Sequence, residues 1–361
     1  GITAPIAGAL VDRLGPRKTI GLGATLFALG LALSSRGSAL WHYYLAFGLL
    51  AGVGLCLMGA VPFTRVLSNW FVRRRALALS FVFVGSGSGF LLYPLVAFLI
   101  ERWGWRVALL VEAGLVAVLL LPGIVLLLRR HPAEKGLLPD GGGTGVPAEG
   151  KEAIVAPAPD TIPAYAQWTL PKAMKSLRFW LLCLSAFSVW GLTEHIMVAH
   201  HVAFAEDVGY SKLYAASVLA LFGVFMAAGS LAGSISDRIG REVTFTVGTI
   251  IGVSGIGALT LIQDTSQPWL LYLYAILFGF GFGMTSPTLA AAATDMFPGP
   301  RAGAVIGFVW FAFAMGGTIG PWLGGAIFEA GGSYLPAFIV AAAMFAVACI
   351  AFWVAAPRHA R

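Results

Sequence analysis

Apolar runs of about 20 residues, separated by short polar segments, recur along almost the whole chain. A helix of that length crosses the ~30 Å hydrocarbon core of a bilayer. Strands of a membrane β-barrel would instead alternate apolar and polar residues over ~10 positions, and these runs do not. The pattern therefore predicts an all-α membrane protein. We number its spans two to twelve because a helix is expected to precede them, as explained below. They are predicted at residues 1–11, 19–35, 43–67, 76–100, 107–128, 179–205, 215–235, 243–262, 269–294, 302–328 and 334–354.

Composition supports this class, since 58% of the 361 residues are hydrophobic and 11% are charged. A soluble domain carries about 25% charged residues. The chain starts at Gly1, inside an apolar segment and without Met, so we expect a first helix to be missing and span two to be partial. The three cysteines, Cys56, Cys183 and Cys349, lie in apolar runs, and their spacing fits neither a metal site nor a disulfide framework.

Basic residues set the expected orientation. If the loop after span two is cytoplasmic and the spans alternate, 19 of the 23 Lys and Arg residues lie on the cytoplasmic side. The other side holds Arg36, Arg102, Arg106 and Lys212. Such a bias follows the positive-inside rule. It predicts a multi-pass protein of the inner (plasma) membrane with a cytoplasmic C-terminus, and it explains the net charge of +7 without nucleic-acid binding.

A change of composition divides the chain. Residues 139–160 are dominated by Gly, Pro and Ala without an apolar period, which is typical of a flexible linker. We therefore predict an N-terminal lobe at 1–128, a cytoplasmic linker at 129–177 and a C-terminal lobe at 178–361.

The two lobes repeat one another. Residues 8–17 read GALVDRLGPR, and residues 233–241 read GSISDRIGR. Four pairs of landmarks share an offset of 225 to 227 residues: Asp12 and Asp237, Pro62 and Pro287, Arg75 and Arg301, and Pro94 and Pro321. The topology places both copies on the same membrane face, as in parallel repeats of two-lobed secondary transporters.

The repeated loop resembles the signature of the major facilitator superfamily, and this resemblance covers essentially the whole chain. It implies two six-helix lobes, with about eleven of the twelve spans present. Asp12 can face the N-terminus of a neighbouring helix, where the helix dipole favours negative charge. In the family the loop holds the cytoplasmic side closed in one conformation, the alternative being a plain basic turn. The implied gating residues are Asp12, Arg13, Arg17, Asp237, Arg238 and Arg241.

A second stretch narrows the resemblance. Residues 70–85, WFVRRRALALSFVFVG, resemble the fifth-span signature of monocarboxylate transporters, and residues 104–106 resemble bacterial members of the monocarboxylate and oxalate–formate group. Carriers of that group usually place an arginine in span eight, where Ser230 stands here, and some oxalate carriers place a lysine in span eleven, which residues 302–328 lack. A buried cation is the expected partner for a carboxylate, so an anionic substrate does not follow directly.

Ionisable residues inside the spans are functional candidates by default. Glu194 and His195 lie near the middle of span seven, and as an acid–base pair they could carry a proton; a purely structural polar anchor is the alternative. Glu112 lies near the outer end of span six. Tyr274 and Trp310 are candidate lining residues, although aromatic residues at helical spacing more often pack a core.

These observations predict a secondary transporter that moves a small organic solute, with a monocarboxylate as one expectation, by proton-linked alternating access. Its partners would be the solute, protons and the lipid bilayer, and we expect a monomer without nucleic acid, cofactor or metal. One alternative is efflux of hydrophobic or amphipathic compounds, and an alternative of another class is a membrane sensor or scaffold without transport. No nucleophile–base arrangement or phosphate loop is evident, so the sequence predicts no enzyme.

Overall fold

The computed structural model describes residues 3–129, 131–141, 168–299 and 302–355, and the regular structure in these ranges is helical. Nine helices in the described ranges are long and apolar enough to cross a membrane. Spans two and three are outside that group because the first has 11 residues and the second opens with charged residues. The spans are helical at Ala4–Leu14, Pro16–Ser34, Leu40–Trp70, Arg75–Gly89 with Tyr93–Trp103, Trp105–Leu115 with Leu121–Leu127, Leu177–Val208, Lys212–Gly233, Arg241–Thr260, Trp269–Met296, Ala302–Gly331 and Leu335–Ala355.

Glycine turns join the paired helices in both copies of the repeated loop. Gly15 ends span two with φ +82°, and Gly240 precedes span nine with φ +102°. Residues that carry a side chain rarely adopt these positive φ angles, so glycine is the residue that allows the tight turn. Pro16 then begins span three, where its fixed φ suits a first helical position and its missing N–H leaves no bond unmade. The two copies therefore fold into the same local structure.

Spans seven to twelve form the larger core. Span ten packs on span eight backbone to backbone. If Gly283 carried a Cβ atom, that atom would clash with the carbonyl oxygen of Met226 at 2.1 Å. Span seven is fixed to span twelve by hydrogen bonds from Ser185 to the Ala348 carbonyl (3.0 Å) and from Thr193 to the Ala341 carbonyl (2.9 Å). These contacts satisfy hydroxyl groups that lipid cannot.

Spans two to six form the other lobe, where described residues line two apolar clefts. One, of 380 Å³, lies between spans four and six and is lined by Phe63, Leu120 and Ile124 among others. The other, of 590 Å³, lies between spans four and five, beside Phe71 and Phe81. In the C-terminal lobe, span seven packs against spans eleven and twelve. No helix in the described ranges takes the corresponding place in the N-terminal lobe, and the expected first helix stays a prediction.

The lobes meet at two glycine crossings. A Cβ on Gly8 of span two would lie 2.0 Å from the carbonyl oxygen of Gly303 in span eleven. Likewise, a Cβ on Gly87 of span five would lie 2.7 Å from the carbonyl oxygen of Gly223 in span eight. Backbones approach this closely only where small residues face one another. The lobes are therefore in direct backbone contact along both pairs of spans.

Most of the flexible linker predicted at 139–160 lies outside the described residues. At its first residues the structure shows more order than the prediction, because Asp140 accepts hydrogen bonds from the backbone N–H groups of Val72 (3.1 Å) and Arg73 (2.9 Å). Short helical turns also occur at Pro132–Lys135 and Leu170–Ala173, inside the segment predicted as linker. Asp140 thus fixes the start of the 139–160 segment to the turn between spans four and five.

Candidate functional site

Four aromatic rings from both lobes meet at the centre of the molecule. Trp190 of span seven stacks on Trp310 of span eleven, with ring centroids 4.9 Å apart and planes 30° apart. Phe83, from span five of the other lobe, lies 5.8 Å from Trp190 and 6.4 Å from Trp310. Phe313 stands edge-on to both indoles. Trp310, predicted from the sequence as a lining residue, therefore belongs to a group that bridges the lobes.

Span seven changes its winding beside these rings. It is a π-helix over Ala186–Thr193 and an α-helix from Glu194 onward. Short π-helical segments are uncommon and frequently occur at functional sites. At this change the Nδ1 atom of His195 lies 2.9 Å from the carbonyl oxygen of Gly191 and 3.2 Å from that of Trp190. We assign a proton to Nδ1 from these two acceptors, which leaves Nε2 directed toward span eleven.

Glycines of span eleven make room for this imidazole. A Cβ on Gly317 would lie 3.1 Å from the Nε2 atom of His195, and one on Gly320 would lie 3.3 Å from its Cβ atom. Pro321 has no N–H, so the Gly317 carbonyl four residues earlier lacks its usual helix partner. Residues 316–321 of span eleven, GGTIGP, therefore make room for the His195 imidazole as well as allowing close helix packing.

Glu194 lies roughly half way along the 32-residue span seven and is partly buried. It follows Trp190 by four residues, so the two side chains lie on one face of the helix. Within the described ranges its carboxylate has no hydrogen bond or ion pair. An unpartnered charge at this depth costs about 3 kcal/mol. The acid–base pair proposed from the sequence thus lies beside the aromatic group.

Two other predicted site residues lie elsewhere. Ser230 is fully buried where span eight meets span ten, and its hydroxyl donates to the Met226 carbonyl at 2.8 Å. Tyr274 is 1% exposed in the core of the C-terminal lobe, where it stacks on Phe278. The structure therefore does not bring Ser230 or Tyr274 together with Glu194, His195 and Trp310.

The remaining ionisable residues of the spans are also separate from this group. Glu112 of span six is partly buried, and nearby Arg106 donates to the Gly37 carbonyl at 3.2 Å. His201 is 1% exposed and lies against Tyr274, with its Nδ1 atom bonded to the Met197 carbonyl at 2.9 Å.

The two repeated loops, residues 8–17 and 233–241, lie on one face of the molecule, which we call the basic face. There, Asp237 accepts hydrogen bonds from the backbone N–H groups of Ala76 and Leu77, both at 3.3 Å, at the N-terminus of span five. Asp237 also pairs with Arg241 at 2.7 Å. A carboxylate of one lobe therefore caps a helix of the other lobe.

Asp295, which sequence reasoning missed, extends this network. It pairs with Arg241 at 3.1 Å and also with Arg75 at the start of span five. The side chain of Arg241 is 3% exposed and those of Asp237 and Asp295 are 12% exposed, so water screens these pairs little. Two carboxylates and two guanidinium groups thus join the lobes through alternating charges.

The first copy of the loop makes a related contact with a different cation. Asp12 lies against the first turn of span eleven, since a Cβ on Gly303 would lie 2.6 Å from its Oδ1 atom. Its Oδ1 atom is 3.5 Å from Nε of Arg65, which also donates to the Gly299 carbonyl at 2.7 Å. The predicted gating residues Arg13, Arg17 and Arg238 are exposed. Arg65 of span four was also missed, because basic residues at span ends are common.

The chain matches the family model described as Major Facilitator Superfamily over residues 1–317 and 255–361. It is 28% identical over 346 residues to monocarboxylate transporter 13 of Rattus norvegicus, covering 94% of this chain and 73% of that protein. It is 30% identical over 354 residues to monocarboxylate transporter 11 of Mus musculus, covering 93% of this chain and 72% of that protein.

The fold is similar to the crystal structure of the transporter FucP in its outward conformation, with a TM-score of 0.72, at 14% sequence identity and with coverage of 98% of this chain and 86% of that one. This likeness confirms the predicted all-α fold of two lobes. The resemblance to bacterial oxalate–formate carriers stays a prediction. Together, the family match and the fold show that the chain belongs to the Major Facilitator Superfamily, a family of membrane transporters.

Proposed function

We propose that the protein is a proton-linked secondary transporter of a small organic solute, which binds between the lobes beside Trp190, Glu194, His195 and Trp310. The observation that carries the proposal is the carboxylate of Glu194, which has no described hydrogen bond or ion pair and lies one helical turn beyond Trp190, whose ring contacts rings of both lobes. Substrate sites of two-lobed transporters lie near the bilayer midplane between the repeats. The relatives named monocarboxylate transporters support an organic solute.

In this proposal the protein works by alternating access. The basic face is closed here by the Asp237 network and by the contact between spans two and eleven. We assign the basic face to the cytoplasm from the distribution of Lys and Arg, so the present conformation is closed on its cytoplasmic side. Opening would break contacts of Asp12 and Asp237 with the other lobe, which gives these residues their gating role.

Proton coupling is assigned to Glu194, with His195 in contact with the solute. Protonation of Glu194 would remove a charge that is costly at this depth and would favour the loaded carrier's reorientation. His195 is held by backbone acceptors, so its ring keeps one orientation while Nε2 stays available.

The test is Glu194→Gln in proteoliposomes that contain the purified full-length protein, with a panel of carboxylates and a pH gradient. Wild-type protein should accumulate its solute when the gradient is applied. The variant should keep solute exchange but lose pH-driven accumulation at least about tenfold, which corresponds to about 1.4 kcal/mol. Glu206→Gln, an exposed carboxyl near the end of the same helix, is the matched control. Unchanged pH-driven uptake in Glu194→Gln would refute the assignment.

A second candidate is efflux of hydrophobic or amphipathic compounds. It is favoured by the aromatic rings at the site. The same vesicles distinguish the two functions, because an efflux carrier would move amphipathic dyes and none of the carboxylates.

A further inference from the structure

We infer that Asp140, near the start of the segment that joins the lobes, is a positioning residue for closure of the basic face. Its carboxylate holds the turn between spans four and five in the geometry that lets the start of span five meet the other lobe. This inference rests on the proposed alternating access and gives a part in it to a residue outside the spans.

The turn before span five has no cap of its own. The first N–H groups of a helix lack a partner within the helix, and a Ser, Thr, Asn or Asp side chain usually accepts from one of them. Here the capping position is held by Arg74, whose side chain makes no such bond. The turn also carries three consecutive arginines, residues 73–75, at the positive end of the helix dipole. Both features favour a carboxylate supplied from elsewhere in the chain.

Two aspartates from different parts of the molecule supply that carboxylate. Asp140 accepts hydrogen bonds from three backbone N–H groups of the turn, those of Val72 (3.1 Å), Arg73 (2.9 Å) and Arg74 (3.4 Å). Asp237 of the other lobe accepts from the N–H groups that follow in span five. Asp140 therefore binds the donors of the turn, and Asp237 binds those of the first helical turn behind it.

Arg75 connects this turn to the other lobe. Its guanidinium group donates to the Phe71 carbonyl in the turn (3.3 Å) and to the Ser68 carbonyl near the end of span four (3.4 Å). The same group pairs with Asp295 of span ten. Because one guanidinium group bonds to both sides, a turn that moves would carry Arg75 away from Asp295. Fixing the turn through Asp140 therefore keeps the cation of this pair in place.

The backbone of Asp140 is held in an unfavourable conformation. Among the residues that the structure describes, Asp140 is the only one other than glycine with a positive φ, at φ +59° and ψ +18°. Such a conformation persists where the surroundings impose it, and it is frequent at functional sites. Glycine adopts it freely, and glycine occupies the next position, 141. The strained position is thus taken by the residue whose carboxylate reaches the turn.

Asp140→Gly tests the inference, because glycine removes the carboxylate and adopts the same positive φ without strain. Spin labels at Leu14 and Ile239, exposed positions in the two repeated loops, would report the distance between the lobes in nanodiscs by double electron–electron resonance. We expect the ratio of open to closed basic face to rise about threefold. Glu134→Ala is the matched control and should leave the ratio unchanged, since this exposed carboxylate accepts from the His131 N–H within the same segment (3.1 Å).

A mutant cycle separates positioning from a purely local structural role. Once Asp237→Asn and Asp295→Asn have removed both carboxylates of the other lobe, the turn has no charged partner to meet. Adding Asp140→Gly should then change the ratio by less than about 1.5-fold. An unchanged ratio in Asp140→Gly alone, an equal rise in the background without the two carboxylates, or the same rise in Glu134→Ala would overturn the inference. If Asp237→Asn alone still opens the basic face, the proposed gating stands, whereas an unchanged ratio in that variant as well would refute the gating itself.

Discussion

Asp237→Asn isolates one charge in the contact that closes the basic face. The substitution keeps the side chain's shape but removes the charge that faces the N-terminus of span five and Arg241. A carboxylate at a helix N-terminus contributes about 0.3–1 kcal/mol, and up to ~2 kcal/mol when partly buried. Breaking a buried ion pair costs about 3–5 kcal/mol, an upper bound here because Arg241 keeps Asp295. We therefore expect the closed state to lose about 1–3 kcal/mol, a shift of about 5- to 150-fold.

The shift can be measured as a distance between the lobes. Spin labels at Leu14 and Ile239, which are exposed apolar positions in the two repeated loops, would be introduced into a variant without the three native cysteines. Double electron–electron resonance should show a larger population at long distance in Asp237→Asn. Asp264→Asn, which changes an exposed carboxylate outside the network, is the control. A distance distribution identical to that of the wild type would refute the gating role of Asp237.

Two further predictions concern packing and orientation. Gly8→Ala should open the basic face as Asp237→Asn does, because the Cβ of the new alanine would lie 2.0 Å from a backbone oxygen of span eleven. Gly21→Ala is the control and should have no effect, because a Cβ there would meet nothing within 4 Å. The same pair of spin labels would measure both variants. A cysteine at position 150 should react with an impermeant maleimide in inverted vesicles but not in intact cells, and labelling from outside would reverse the assigned topology.

The helices were predictable because a long apolar run in lipid has few alternatives to a helix that bonds its own backbone. Span ten, predicted at 269–294, is helical at Trp269–Met296. Local winding was not predictable in the same way. The π-helix at Ala186–Thr193 carries no proline, and its wider turns accompany contacts with span eleven that are remote in sequence. A break at Phe90–Leu92 likewise divides span five, which the sequence presented as one run.

The candidate site was predictable only in part, and the reason is where each residue lies. Glu194 and His195 stood out because ionisable residues are rare in the middle of a span. Asp295 and Arg65 lie near span ends, where charge is ordinary, so their role depended on knowing which lobe they contact. Ser230 was chosen because it stands where an arginine was expected, and the structure buries it against span ten instead.

The two repeated loops show how a sequence repeat can keep a backbone and change its chemistry. In both copies a glycine turn sets an aspartate against a helix of the opposite lobe. In the second copy Arg241 directly follows the turn and folds back onto Asp237. In the first copy Pro16 takes that place, and Arg17, one residue farther along, is exposed. The guanidinium beside Asp12 comes from Arg65 of span four instead. The repeat therefore identifies the aspartate and the turn reliably, while the cation that completes each contact has to be found in three dimensions.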